Sequence, residues 1–417
     1  SQKPSEISND DLSHYSSRRL FIKEIFPHTD ISQGQSTALY SLDLTYYPGE
    51  RGHYNYNTAA GGTNTLPNPI SNWAGIARDI STTDFEKSNV EYIQFWILDP
   101  FIYEENLNHT GGKLSINLGH LSEDILKTGR KQYENGLPKD GGVTGTTATV
   151  YGKVPTNQSL IYAFDSEGQE RINQDLGLDG ASDAEEASLF PMFGGLEDPA
   201  GDNYMYFLQA TGNIVERYKY YNGTQGNSPV EVTENNIGST TLPDVEDYNR
   251  DNTMNTGDAY FEYDIELFPG MSVENSTYIS DVVESQVTLA NNETATVRWV
   301  QFKIPISKPT RAVNGISDFR SIRFMRMYLS EFEQPITLRF GTLDLVRGDY
   351  RRFSQTLHPS GVLPENSNTL FEVENISIEE NSQREPIRYV MPPGVEREEL
   401  INNNTTLRQN EQSLVLR

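Results

Sequence analysis

The densest group of potential metal ligands in the sequence is the acidic segment 175–186, which reads DLGLDGASDAEE. If it is counted as a twelve-residue calcium loop, Asp175 occupies position one and Asp179 occupies position five. Asp183 then stands at position nine and Glu186 at position twelve. Carboxylates at these offsets can surround one hard cation, so the sequence predicts a structural Ca²⁺ site here.

Two glycines decide how closely this segment matches a standard calcium loop. Gly180 falls at position six, where the sharp turn of such a loop requires a glycine. Gly177 falls at position three and offers no side-chain oxygen, and the sequence shows no obvious flanking helices. We therefore expect an isolated Ca²⁺ site and not an EF-hand pair. The alternative interpretation is a solvated acidic loop that binds no ion.

A second candidate loop, DYNRDNTMNTGD, begins at Asp247. Asp247, Asn249 and Asp251 occupy positions one, three and five, but Asn252 replaces the glycine and Asp258 replaces the bidentate glutamate. Simple turn formation without an ion explains the same residues. If either loop binds Ca²⁺, we expect a dissociation constant on the order of 0.1–1 mM, as in extracellular calcium modules.

The sequence lacks the arrangements on which most enzymes rely. Cysteine is absent, which excludes disulfides, cysteine zinc sites and thiol catalysis. The six histidines are scattered without metal-ligand spacing, and there is no nucleophile elbow, P-loop or dinucleotide-binding glycine motif. The many carboxylates could supply a glycosidase pair, but nothing singles out two of them. We expect no enzymatic activity, and a carboxylate hydrolase is the weakest alternative.

The charge of the chain limits the partners that it can bind. Its 417 residues include 33 Lys and Arg against 59 Asp and Glu, which gives a net charge of −26. This charge repels nucleic acids and anionic lipids, so neither is expected as a partner. No run of apolar residues approaches the length of about 18 that a membrane-spanning helix needs.

The elements that must hold these loops are predicted from a pattern that occurs twice. Residues 114–121 (LSINLGHL) and 336–343 (ITLRFGTL) alternate between apolar and polar residues and place Gly119 and Gly341 in the same register. A period of two is typical of a strand with one buried face, and a glycine there indicates a bulge or a close backbone approach. The predicted buried faces carry Leu114, Ile116, Leu118, Ile336, Leu338 and Phe340. We interpret the pattern as an all-β unit used twice, although any two amphipathic strands look similar.

Strands at this spacing, with many aromatic residues and turns, predict a mainly β protein. We expect two β-sandwich or jelly-roll domains with long acidic loops and one or two short helices, the clearest between Ser122 and Gly136. The predicted divisions are a disordered lead (1–17), a first β-sandwich domain with the acidic loop (18–195), a polar connection (196–255), a second β-sandwich domain (256–360), and edge strands with a polar tail (361–417).

Several long phrases of the sequence resemble the SprA/Sov family of gliding-motility and secretion proteins. They include LDLTYYPGERGHYNYN from Leu42, TDFEKSNVEYIQFWILDPF from Thr83 and GKLSINLGHLSEDILKTGRKQYENGLP from Gly112. PDVEDYNRDNTMNTGDAYFEY from Pro243 and FRSIRFMRMYLSEFEQPITLRFGTLDLVRGDYRR from Phe319 continue the likeness. The resemblance runs from about residue 18 to residue 352. Phrases of this length are far more specific than a short motif.

The resemblance implies a role in the outer-membrane translocon of type IX secretion. Members of that family are very large barrels that pass folded cargo with a C-terminal signal domain to the cell surface. Their companions are a periplasmic plug, an outer-membrane shuttle protein and a prolyl isomerase. The resemblance transfers no catalytic residue.

This chain is much shorter than the family's members, so we expect an internal portion of such a protein, attached to the remainder of the barrel polypeptide. Its long acidic loops favour an extramembrane portion that shapes or caps the export channel and contacts cargo or partner proteins. The cell-surface side of the outer membrane is favoured, with the periplasmic face as the alternative.

A different class of function is a surface carbohydrate-binding jelly-roll module. Trp73, Trp96 and Trp299 could stack on sugar rings, as exposed aromatic residues do in such modules. Trp96 and Trp299 lie within predicted strands, where packing against the sheet is the expected role.

Overall fold

The computed structural model of the protein is mainly β, as the sequence predicted, and its sheets are antiparallel. The described residues are 6–32, 34–123, 132–156, 160–221, 227–228, 241–243, 247–253, 255–348, 373–382, 388–402 and 405–416. None of the helices within these ranges is long and apolar enough to cross a lipid bilayer. The clearest helix predicted from the sequence, between Ser122 and Gly136, falls largely outside the described residues.

The strands are short in the outer parts of the chain and longest between residues 90 and 347. They are β1 (Leu20–Phe21), β2 (Ala38–Leu39), β3 (Leu42–Tyr46), β4 (Trp73–Asp79), β5 (Val90–Leu98), β6 (Gly112–His120), β7 (Thr146–Ala148), β8 (Lys153–Pro155), β9 (Ala259–Leu267), β10 (Ile279–Thr288), β11 (Thr294–Pro305), β12 (Arg311–Ala312), β13 (Phe324–Ser330), β14 (Ile336–Arg347), β15 (Val373–Ser377), β16 (Glu399–Asn402), β17 (Thr405–Arg408) and β18 (Gln412–Leu416).

The helices in the described ranges are all short. The α-helices are α1 (Gly168–Gln174), α2 (Asp183–Leu189), α3 (Ile214–Tyr220) and α4 (Ile378–Asn381). Single 3₁₀ turns cover Ile22–Glu24, Thr58–Ala60, Pro69–Ser71, Pro100–Ile102 and Glu104–Asn106.

The core of the fold is a sandwich of two five-stranded antiparallel sheets. Sheet one has the strand order β10-β11-β5-β14-β3, and sheet two has the order β12-β9-β6-β13-β4. One hydrophobic cluster joins both inner faces, with Phe95 and Leu338 from sheet one and Ile116 and Tyr263 from sheet two, all fully buried. Because the central strands of both sheets present an apolar face to this cluster, the two sheets are held together by the burial of apolar surface.

Strands from distant parts of the chain interleave in this sandwich. The chain changes sheets repeatedly, for example from sheet one to sheet two between β5 and β6, and from sheet two to sheet one between β9 and β10 and again between β13 and β14. Strand β5 pairs with β14, and β6 pairs with β13. The division predicted at 18–195 and 256–360 therefore places in separate domains strands that pair here. Period-two patterns identify strands and their buried faces, but they contain no information about which strand is the partner.

The two segments with the repeated pattern occupy central positions, one in each sheet. Strand β6 lies in the middle of sheet two, and β14 lies beside β5 in sheet one. The prediction of their buried faces is confirmed. Less than 2% of the surface is exposed for Leu114, Ile116, Leu118, Ile336, Leu338 and Phe340.

The two matched glycines serve close packing in different ways. The pairing of β14 with β5 skips Gly341, which forms a β-bulge, and a Cβ atom there would lie 2.9 Å from the ring of Trp299. Gly119 is paired on both sides, and a Cβ atom there would lie only 2.3 Å from the carbonyl oxygen of Ala259. A larger side chain at either position would force neighbouring atoms apart.

The N-terminal segment is packed against sheet one. The ring of Tyr15 stacks on Tyr103 with centroids 4.6 Å apart, and its hydroxyl accepts a hydrogen bond from Asn106 Nδ2 at 3.0 Å. Arg339 in β14 donates a hydrogen bond to the carbonyl oxygen of Tyr15 at 2.8 Å. The prediction of a disordered lead over 1–17 therefore does not hold for residues 6–17. Their polar composition concealed one aromatic anchor, Tyr15, whose hydroxyl and carbonyl oxygen both accept hydrogen bonds.

The described C-terminal strands do not extend the sandwich sheets. Strand β15 pairs with β18, and β16 pairs with β17, so that the described C-terminal strands form two separate two-stranded sheets. The segment predicted as edge strands and a polar tail, 361–417, is thus partly strand but has its own pairing.

The interleaved pairing predicts which engineered cysteines cross-link in this cysteine-free chain. Gln94 in β5 is directly opposite Asp344 in β14, at a Cα separation of about 4.5–5.5 Å. The double variant Gln94→Cys/Asp344→Cys should form an internal disulfide under mild oxidation, as measured by mass spectrometry of non-reduced peptides.

A matched control pair uses the strand on the other side of β5. Lys303 in β11 is also opposite Gln94, so Lys303 and Asp344 are two strand spacings apart, about 9.5 Å. Lys303→Cys/Asp344→Cys should therefore remain reduced. Cross-linking of the control pair, or none in the first pair, would contradict the strand order.

Candidate metal centre

Helix α2 brings two of the predicted ligands onto one face. The carboxylate of Glu185 accepts hydrogen bonds from the backbone nitrogen of Ser182 at 2.9 Å and from its hydroxyl at 3.1 Å, which fixes the start of the helix. Asp183 and Glu186 are three residues apart, so their side chains lie side by side on the helix surface.

The turn after α2 is folded around a carboxylate. Asp198 Oδ1 accepts hydrogen bonds from the backbone nitrogens of Gly201 at 2.7 Å and Asp202 at 3.1 Å. The backbone nitrogen of Ala200 donates to Glu186 Oε2 at 2.9 Å, which ties the turn to the helix. These bonds leave each carboxylate with further lone pairs for another ligand.

Four carboxylates converge where helix and turn meet, and we call Asp183, Glu186, Asp198 and Asp202 the acidic cluster. One carboxylate oxygen from each lies within 4.8 Å of the others. Glu186 and Asp202 expose only 1% and 2% of their surface, and Asp202 Oδ2 is buried without a hydrogen-bond partner. Within the described part of the chain, none of the four forms an ion pair with a basic side chain.

Electrostatic repulsion is strong in this cluster. Burial, followed by repulsion from neighbouring carboxylates, raises the pKa of Asp202 to about 9 and the pKa of Glu186 to about 8. Asp179 lies beside the cluster, and burial raises its pKa to about 7 although Ala181 N and Tyr56 Oη donate hydrogen bonds to it. Buried carboxylates without a compensating charge either take up protons or bind a cation.

Aromatic residues from an earlier segment close the site. The hydroxyl of Tyr56 donates to Asp179 Oδ2 at 2.9 Å, and the hydroxyl of Tyr54 accepts from the backbone nitrogen of Leu178 at 3.0 Å. Both tyrosines belong to a small hydrophobic cluster that also contains the fully buried Phe193. The acidic cluster therefore lies against a packed apolar wall that limits its access to water.

The structure separates the four predicted ligands of the first loop. Asp183 and Glu186 are in the acidic cluster, and Asp179 lies beside it. Short helices are present, contrary to the expectation from the sequence, because α1 ends just before Asp175 and α2 begins inside the twelve-residue window. The window therefore does not wrap around a single point as a calcium loop does.

Asp175 is directed elsewhere. Its carboxylate forms a buried ion pair with Arg171 at 2.6 Å and accepts a hydrogen bond from the hydroxyl of Ser228 at 2.8 Å. Burial raises the pKa of Asp175, and the hydrogen bonds and the charge of Arg171 act in the opposite direction. With its charge already balanced by Arg171, Asp175 is a structural residue of the α1 segment.

Sequence reasoning missed Asp198 and Asp202, which lie beyond the end of the twelve-residue window. The turn sequence around them, Asp-Pro-Ala-Gly-Asp, is a signal for a tight loop but not for a ligand. Gly177, which offered no oxygen at position three, has a φ of +83°, and a Cβ atom on it would lie 2.1 Å from Asp202 Oδ2. Position three lacks an oxygen because a carboxylate from the later turn occupies that space.

The second predicted loop satisfies its own polar groups. The backbone nitrogen of Asp251 donates to Asp247 Oδ1 and to Asn249 Oδ1, both at 3.1 Å. Asn249 Nδ2 donates to Asp251 Oδ2 at 3.0 Å. Glu123 anchors the loop, because its carboxylate accepts a hydrogen bond from the backbone nitrogen of Tyr248 at 2.8 Å. Asp247, Asn249 and Asp251 thus stabilise a turn, and no group of three or more described ligands includes them.

The three tryptophans occupy two different environments. Trp96 and Trp299 are fully buried on the face of sheet one that is turned away from the sandwich core, as expected for residues within strands. Trp73 in β4 is 52% exposed and meets Tyr328 edge-on at 6.5 Å.

Comparison with known protein families places this chain among motility-related and secretion proteins. Residues 185–417, more than half of the chain, match the SprA_N family, which is described as a motility related/secretion protein family. The chain belongs to this family, and the resemblance noted in the sequence is confirmed. A search of the curated proteins finds no match.

The close approach of Asp202 to Gly177 predicts an unequal effect of two alanine substitutions. Gly177 and Gly168 have nearly the same φ, +83° and +81°, but only Gly177 has atoms where a Cβ would lie. Gly168→Ala should cost about 1–2 kcal/mol from the backbone alone. Gly177→Ala should cost about 1–3 kcal/mol more through overpacking, as measured by urea unfolding.

The excess cost should depend on the carboxylate. In an Asp202→Ala background, the excess cost of Gly177→Ala over Gly168→Ala should fall, because the nearer of the two colliding oxygens has been removed and only Tyr54 Oη, at 2.8 Å, remains. Equal costs for the two glycines in the unaltered chain would contradict the close approach.

Proposed function

We propose that this chain is a non-catalytic, extramembrane segment of the outer-membrane translocon of type IX secretion. It shapes or caps the protein-export channel and contacts secreted cargo. The observation that carries this proposal is the match of residues 185–417 to the motility and secretion family. The long phrases that resemble the same family before residue 185 support it.

The interleaved sandwich suits a segment with a mechanical role. Its two sheets share one core, and β5 and β14 link residues more than 200 positions apart in the chain. A unit of this kind keeps its shape when a folded protein passes beside it, because moving one sheet would expose the apolar surface of both. This rigidity supports a role in shaping the channel mouth.

The burial of the acidic cluster supports a non-catalytic role. Glu186 and Asp202 are almost completely covered, so neither side chain reaches a polysaccharide or peptide at the surface. The sequence offers no nucleophile motif elsewhere. The carboxylate hydrolase is therefore not the function that we propose.

Cargo contact is proposed at the edge of the sandwich formed by β3 and β4. These strands end the two sheets on the sides next to β14 and β13. Exposed apolar side chains lie on or next to them, including Tyr40, which is 86% exposed, and Ile76 and Trp73. Secreted cargo with a C-terminal signal domain is the partner that the proposal favours, since sheet edges accept strands from other proteins.

Surface labelling of intact cells tests the location. Val143 is 75% exposed, and a cysteine there would be unique within this chain. Val143→Cys should react with a membrane-impermeant maleimide on intact cells, measured by mass shift. Ile116→Cys, at a buried position, should react only after denaturation. Labelling of Val143→Cys only after permeabilisation would place the segment on the periplasmic face.

Photo-crosslinking in cells tests the contact with cargo. A photoreactive residue at Tyr40 should capture secreted proteins that carry the C-terminal signal domain, as identified by mass spectrometry. The control position is Glu284 on β10, which is the opposite edge of sheet one. Capture of plug, shuttle or prolyl isomerase would identify another partner for this edge. Identical partners at both positions, or none, would contradict the proposal.

A carbohydrate-binding surface module is the second candidate function. The observation that favours it is the exposed Trp73 beside Tyr328, an aromatic pair that a sugar ring could cover. Glycan binding by the isolated chain that Trp73→Ala abolishes would favour this candidate over the first.

A further inference from the structure

We propose that the acidic cluster of Asp183, Glu186, Asp198 and Asp202 binds one Ca²⁺ ion, which fastens helix α2 to the turn that follows it. The site differs from the twelve-residue loop predicted from the sequence, because two of its ligands come from the later turn. It is independent of the proposed role in secretion.

The chemistry of the donors favours a hard cation. All four groups are carboxylates, with no histidine or cysteine among them, and oxygen donors of this kind select Ca²⁺ or Mg²⁺. The oxygens lie within 4.8 Å of one another. Two oxygens on opposite sides of a Ca²⁺ ion are separated by roughly 4.6–5.2 Å, twice the metal–oxygen distance. The smaller Mg²⁺ ion would require them to draw together to about 4.2 Å.

The burial of Asp202 separates this cluster from an ordinary acidic patch. Its side chain is 98% buried, as its exposure of 2% shows, and its Oδ2 accepts no hydrogen bond. The charged groups that act most strongly on its carboxyl are other carboxylates, including Asp179, Glu186 and Asp198. A buried anionic oxygen in this position is stabilised only when a cation or a proton is added.

The surrounding hydrogen bonds hold the ligands in place for an ion. Backbone nitrogens of the turn donate to Asp198, and Ala200 N donates to Glu186. Asn203 Nδ2 donates to both carboxylate oxygens of Asp183, at 3.0 and 3.2 Å. Such contacts behind the ligands orient carboxylates toward a metal and are typical of built metal sites.

An ion at this site would stabilise more than the turn. Asp202 packs against Gly177, and Asp179 beside it is bound to Tyr56. The ion would therefore connect α2, the turn and the tyrosine segment into one unit. We expect its binding free energy to appear directly as resistance to unfolding.

Thermal unfolding of the whole chain tests the proposal. After EDTA treatment and dialysis, about 10 mM CaCl₂ should raise Tm by about 2–5 °C, for a dissociation constant on the order of 0.1–1 mM. The same concentration of MgCl₂ should raise it less. Asp202→Asn and Asp183→Asn should each abolish the Ca²⁺-dependent rise. Glu185→Gln, on the same helix but outside the cluster, should retain it.

A reversal in the order of stability between EDTA and Ca²⁺ distinguishes a metal ligand from a residue that only supports the fold. In EDTA, Asp202→Asn should be at least as stable as the unaltered chain, because a neutral amide in this buried position needs neither a proton nor a cation. In Ca²⁺ the order should reverse. An unaltered chain whose Tm does not respond to Ca²⁺, or an Asp202→Asn variant with the full response, would overturn the proposal.

Terbium luminescence supplies a second readout that does not depend on unfolding. Tb³⁺ has similar ligand preferences to Ca²⁺, and Tyr54 and Tyr56 are close enough to the cluster to sensitise its emission. The chain should show Tb³⁺ emission that added Ca²⁺ quenches, and Asp202→Asn should show none. Emission that persists in Asp202→Asn would contradict binding at this cluster.

Discussion

The antiparallel pairing of β5 with β14 and of β6 with β13 is the constraint on which the structure depends. Each pair joins a strand from residues 90–120 to a strand from residues 324–347. Backbone hydrogen bonds fix the register, and the register decides that Ile116 and Leu338 face the common core. The N-terminal segment packs against this frame through Arg339 of β14.

The acidic cluster and the sandwich differ in what burial contributes to their stability. The sandwich gains stability by removing apolar side chains from water, whereas the cluster removes carboxylates from water and gains nothing from the burial itself. Hydrogen bonds from the turn and the wall of Tyr54, Tyr56 and Phe193 hold these groups together despite their repulsion. The small hydrophobic cluster and the acidic cluster are therefore parts of one local structure.

The sequence was sufficient to predict where the strands lie but not to predict which strands pair. Alternation identified the apolar faces of β6 and β14, because each side chain's face follows from local geometry. It did not show that polar residues on the opposite faces, such as Asn117 and Arg339, are buried as well. The pairing of β5 with β14 depends on contacts between distant residues, which no local pattern contains. The same limit applies to the candidate site. Glu186 was found in a contiguous window, Asp202 was not, and Asp175 was assigned to a site from which its ion pair with Arg171 removes it.

The interleaved order also has a consequence for how the chain folds. Ribosomes deliver residues from the N-terminus onward, so β5 and β6 emerge long before β13 and β14 can pair with them. Domains dominated by such non-local contacts fold slowly, and their early strands present unpaired edges while they wait. During that interval the unpaired edges of β5 and β6 are sites at which nascent chains can aggregate. The strand order that gives the sandwich its shared core thus also imposes a delay between the synthesis of β5 and β6 and their pairing.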